Sequence, residues 1–134
     1  MDKIRELLLF APPFIISLSF HEFAHAWVAN RLGDSTARYL GRLTLDPMAH
    51  ISWFGTVLFP AISVLAGSNI FFGWANPVPV DMRNFRKPRL GMAYVAAAGP
   101  ASNLVLATLC AGALSLIVHF VPGAQKKIHD DFHQ

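Results

Sequence analysis

Phe20-His21-Glu22-Phe23-Ala24-His25-Ala26-Trp27 sets two imidazoles and one carboxylate into an otherwise apolar stretch. On a helix, His21 and His25 stand at i and i+4, one above the other on a single face. That spacing lets two imidazoles grip one Zn2+, with Glu22 beside them as general base for a water. The chemistry this predicts is hydrolysis of a peptide bond. The plain alternative is two core histidines satisfied by neighbouring backbone. It is weak here, because ionisable side chains at membrane depth are expensive and need a reason.

The element that must carry these groups is the run Leu7 to Asn30. It is long enough to span a bilayer, and His21, Glu22 and His25 are its only ionisable residues. Pro12 and Pro13 fall in its first third and should kink it or mark where it starts in earnest. Beyond His25 about a turn and a half of helix remains before Arg31, so the histidines lie below the surface, nearer that end. The run is too long for a signal-peptide core and is read as a retained helix.

Composition agrees. The chain has 134 residues, 54% of them hydrophobic and 14% charged. Mean hydropathy is +0.42. A soluble domain would interrupt its apolar runs with more Lys and Glu. The net charge of +3 resides in the connections, as in cytoplasmic loops of membrane proteins, so no nucleic-acid partner is expected. Cys110 is alone and forms no internal disulfide.

The expected fold is an all-α membrane protein, one polytopic domain over 1–134. Two to three transmembrane helices are expected, at about 7–30, 51–72 and 92–121, with a polar tail at 122–134. The 51–72 run carries no formal charge, yet Gly55, Pro60, Gly67 and Ser68-Asn69 weaken it as a straight helix. It either crosses or re-enters. Within the 31–50 connection, Thr36 to Leu40 and Arg42 to Leu45 are expected to pair as a small β-hairpin around Gly41. Such a hairpin could hold an extended substrate by strand addition. Trp27, Trp53 and Trp74 read as interfacial anchors. Gly99, Asn103, Ala107 and Ala111 recur every four residues and form a narrow small-residue face.

Four motifs together resemble the core of a compact prokaryotic site-2 protease-type intramembrane metalloprotease. They are His21-Glu22-Phe23-Ala24-His25; Gly41 to Leu45 followed by Asp46-Pro47-Met48-Ala49-His50; Phe72-Gly73-Trp74-Ala75-Asn76-Pro77-Val78-Pro79-Val80; and Gly99-Pro100-Ala101-Ser102-Asn103. The resemblance implies a multi-pass zinc enzyme of the cell (inner) membrane that cuts transmembrane protein substrates within or near the bilayer. It implies His21 and His25 as ligands, Glu22 as base, and Asn103 beside the site as a contact to substrate or oxyanion. In that family the third ligand is an aspartate in a later Asn-Pro…Leu-Asp-Gly helix. No such motif occurs here, so the chain is expected to be truncated or a shortened member, or to take the ligand from a second chain or a homo-oligomer. Asp46, His50, Asp81 and His119 are the substitutes within the sequence, and none has a spacing that argues for it. The alternative function is a catalytically incomplete metal-binding membrane module or scaffold. A haem subunit fits worse: histidines one turn apart cannot flank one haem, so His119 would have to supply the opposite ligand.

Overall fold

The computed structural model describes residues 2–67 and 73–133. Every regular element among them is helical, and there is no strand. Helix α1 runs Asp2–Arg31 and passes through Pro12 and Pro13 without ending. Each proline removes an amide donor, freeing the carbonyls of Leu8 and Leu9. At the far end Asp34 N–H bonds Ala29 O at 2.9 Å, and Gly33, at φ +109°, makes the left-handed closing turn.

The expected hairpin at 36–45 does not form. Residues Thr36–Tyr39 are a single helical turn, α2. The cause lies in the residue before it. Asp34 Oδ1 accepts from both Thr36 N (3.1 Å) and Thr36 Oγ1 (2.5 Å), an Asx-type start that commits the next turn to helix. The chain then turns at Gly41, φ +73°. The Thr44 carbonyl, which a ladder would need, is taken by the ring of the fully buried His50 at 2.7 Å.

After a 3-10 turn, Pro47–Ala49, the apolar run opens as a π-helical turn, Trp53–Leu58, and continues as α3, Phe59–Leu65. At about 1.5 Å per residue the two pieces together reach roughly 20 Å, short of a bilayer core. Residues 68–72, which include the Ser68-Asn69 pair and Phe72, lie outside the described set. A second 3-10 turn, Met82–Asn84, precedes α4, Pro88–Phe120, and α5 follows at Ala124–Phe132. Only α1 and α4 among the described helices are long and apolar enough to cross a membrane.

The described chain forms two compact units, 1–103 and 104–134. In the first, Ala29 of α1, Phe85 and Val95 of α4 make a small core with Val28, Val80 and Met92 packed against it. Gly91 allows this, since a Cβ there would stand 2.8 Å from the Phe85 ring. Asp34 is fully buried and fastens the 81–84 turn to the end of α1. It accepts from Asp81 N at 2.8 Å and from Asn84 Nδ2 at 2.9 Å. Burial pushes its carboxyl up, but the bonds from Thr36, Asn84 and the Asp81 and Thr36 amides outweigh that and hold it below its ordinary value. The second unit holds the remainder of α4 and α5, joined through Gly123 at φ +82°.

Candidate metal centre

His21, Glu22 and His25 project from one stretch of α1 toward the first half of α4. One ligand atom from each can be chosen so that all lie within 4.8 Å of one another. Glu22 is 8% exposed, which shields its carboxylate from bulk water.

The imidazoles are held from behind. His25 Nδ1 lies 2.6 Å from Val95 O. A carbonyl only accepts, so Nδ1 carries the proton and Nε2 presents a lone pair, the usual arrangement for a metal-binding histidine. His21 Nδ1 lies 3.2 Å from Asn103 Nδ2. The two Nε2 atoms face each other at 3.0 Å. Two nitrogens each about 2.05 Å from a tetrahedral Zn2+ are separated by about 3.3 Å, so small ring movements suffice to seat the ion.

Gly99 makes room for the pair. A Cβ there would lie 2.6 Å from His25 Nε2 and 2.6 Å from His21 Cε1. The α4 backbone therefore closes one side of the ring pair, and a side chain would fill the place where the donors converge. Ser102 ties the helices together alongside, donating to Gly99 O at 2.8 Å and Phe20 O at 3.3 Å. The residues present fit zinc: two imidazoles set at cation-sharing distance, a neighbouring carboxylate and a cradle kept open by glycine.

A proline-rich strap, residues 73–80, lies across the other side. Its fastenings are Trp74 N to Gly55 O (2.9 Å), Thr56 Oγ1 to Trp74 O (2.7 Å), Asn76 N to His50 O (3.0 Å) and Arg42 to Asn76 O (2.5 Å). Asn76 Nδ2 adds a bond to Ile51 O at 3.1 Å. Held this way, the strap offers Val78 N–H to Glu22 Oε2 at 3.2 Å. A cavity of about 550 Å³ reaches His21 and Glu22 past Phe14, Trp74, Pro77 and Asn103. A second, of about 390 Å³, reaches His21, Glu22 and His25 past Pro77, Val78 and Met92. Pro77 borders both.

Asn103 thus joins the cluster, while three of the substitute ligands do not. Asp46 caps its own turn through Met48 N, His50 bonds Thr44 O, and Asp81 pairs with Arg83 at 2.9 Å. His119 belongs to the other unit. Sequence reasoning missed the Val78 amide, which as backbone carries no residue-type signal. It placed Gly99 in a small-residue face and in the fourth motif but gave it no role of its own at the ring pair.

Comparison with known proteins points the same way. The chain is homologous to proteins named as zinc metalloproteases. It is 52% identical over 93 residues to the "Putative zinc metalloprotease YwhC" of Bacillus subtilis, a match covering 69% of this chain and 39% of that protein. It is 33% identical over 117 residues to the "Putative zinc metalloprotease Rip2" of Mycolicibacterium smegmatis, covering 83% of this chain and 44% of that protein. The Rip2 protein of Mycobacterium tuberculosis matches at 32% over 104 residues, 78% of this chain and 39% of its own. The chain therefore spans about two fifths of the length of these relatives. No protein-family profile and no solved structure matches it.

Proposed function

We propose that this chain is the core of an intramembrane zinc metalloprotease of the site-2 type, hydrolysing peptide bonds of transmembrane protein substrates in a cell membrane. The observation that carries the reading is the pair of Nε2 atoms at 3.0 Å on an apolar, membrane-length helix, with Glu22 adjacent. His21 and His25 would hold the ion. When bound, zinc supplies Lewis acidity, lowering the pKa of a water and polarising a peptide carbonyl.

The chain's own groups do the rest. Glu22 takes a proton from the attacking water at one carboxylate oxygen while the Val78 amide holds the other, Oε2. The same carboxyl then returns the proton to the leaving amine. The two cavities that meet at Pro77 accept an extended peptide on either side of the reacting bond. A helical substrate must unwind there first, because its carbonyls are otherwise spent on its own hydrogen bonds.

The test is hydrolysis of a transmembrane peptide by the protein in liposomes, with and without chelator. Glu22→Gln is expected to lose cleavage by about 100-fold or more while zinc stays bound. Cleavage retained in that variant removes Glu22 from the chemistry. Zinc bound with no cleavage by the wild type favours a metal-binding module, a reading supported by a cluster of two imidazoles and one carboxylate among the described residues.

A further inference from the structure

Asn103 carries a mismatch that the proposed chemistry does not use. Its Oδ1 is buried and has no hydrogen-bond partner among the described residues. Its Nδ2, which can only donate, points at His21 Nδ1 at 3.2 Å. Followed through, the contacts form one directed chain. Asn103 Nδ2–H donates to His21 Nδ1; His21 Nε2–H donates to His25 Nε2; and His25 Nδ1–H donates to Val95 O. Each of these groups has one partner, and donors and acceptors alternate along the chain.

It is incompatible with the metal. A ligating His21 Nε2 must present a lone pair, so its proton has to sit on Nδ1. An Nδ1–H facing an amide N–H is a clash of donors. Rotating the Asn103 amide by half a turn puts Oδ1 where Nδ2 stood and gives the unpartnered oxygen the His21 proton. Both histidines then donate backwards, to Oδ1 and to Val95 O, and both Nε2 lone pairs face one point. No proton is gained or lost: one leaves His21 Nε2 and one arrives at His21 Nδ1.

We infer that Asn103 is a positioning residue that sets the His21 tautomer, its amide donating to the ring without metal and accepting from it when zinc is bound. The inference rests on the zinc reading of the site.

Two variants separate the settings. Asp at 103 is nearly isosteric and, as a carboxylate, accepts but does not donate; Leu does neither. In the whole protein in detergent, zinc affinity measured against a competing chelator is expected to fall about 10- to 100-fold in Asn103→Leu. Asn103→Asp is expected to bind at least as tightly as the wild type. In parallel, 15N spectra of labelled histidine read the tautomer directly. Metal-free wild type is expected to show His21 protonated at Nε2, moving to Nδ1 on zinc addition. Metal-free Asn103→Asp is expected to show Nδ1–H from the start. Affinity unchanged in Asn103→Leu, or equally weakened in both variants, overturns the inference. So does a His21 tautomer indifferent to Asn103→Asp, a readout that needs no zinc. Failure of the wild type to bind zinc refutes the metal centre instead.

Discussion

Gly99→Ala adds a single methyl group beside the two imidazoles. The new Cβ would stand 2.6 Å from His25 Nε2, 2.6 Å from His21 Cε1 and 2.7 Å from His21 Nε2. Ordinary carbon contacts begin near 3.4 Å, so the rings must retreat by about 0.8 Å. Zinc–nitrogen distances tolerate only about 0.2 Å. Overpacking of this kind costs about 1–3 kcal/mol. If the rings yield rather than the helices, that cost falls on metal binding, a loss of roughly 5- to 150-fold in zinc affinity at 1.4 kcal/mol per decade. The assay is chelator competition in detergent, with helix content by circular dichroism as the fold control. Gly112→Ala is the matched control on the same helix, because a Cβ there meets nothing within 4 Å. It is expected to leave zinc affinity unchanged. If Gly99→Ala binds zinc as tightly as Gly112→Ala with its helices intact, Gly99 is not the wall of a metal cradle.

Val78→Pro deletes the amide that holds Glu22 Oε2 and is expected to lower kcat by about tenfold at unchanged zinc content, measured by steady-state peptide cleavage. Asp34→Ala strands the Asp81 and Thr36 amides and the Asn84 side chain, and is expected to destabilise the fold by about 3 kcal/mol in denaturant titration. Asp34 also sets an acid limit. Its folded pKa is depressed, so its contribution is present above the ordinary value of 3.8 and is lost as pH falls below that toward the folded pKa. Thermal melts at falling pH are expected to show a loss of stability in that window that Asp34→Asn does not share.

The site was legible in sequence as far as its chemistry is local. His21 and His25 meet because 3.6 residues per turn bring i and i+4 together, and an apolar run makes a helix of them. Asn103 was marked by the resemblance as lying beside the site, but its partner, 82 residues away, is a tertiary fact. The strap's reach to Glu22 was hidden for the same reason, since a backbone amide has no identity in a sequence. The expected hairpin failed on a short-range competition: Asp34 caps Thr36 and diverts the chain into a helical turn before β-branched residues can pair. His50 and Arg42, which read as loop residues, instead spend their side chains on the Thr44 and Asn76 carbonyls.

Zinc content of the purified protein after equilibrium dialysis tests the central claim most directly, in the wild type and in His21→Ala and His25→Ala. The paired Nε2 geometry predicts about one equivalent in the wild type, and loss of nearly all of it when either imidazole is removed. Zinc retained at the wild-type level in both alanine variants would contradict it.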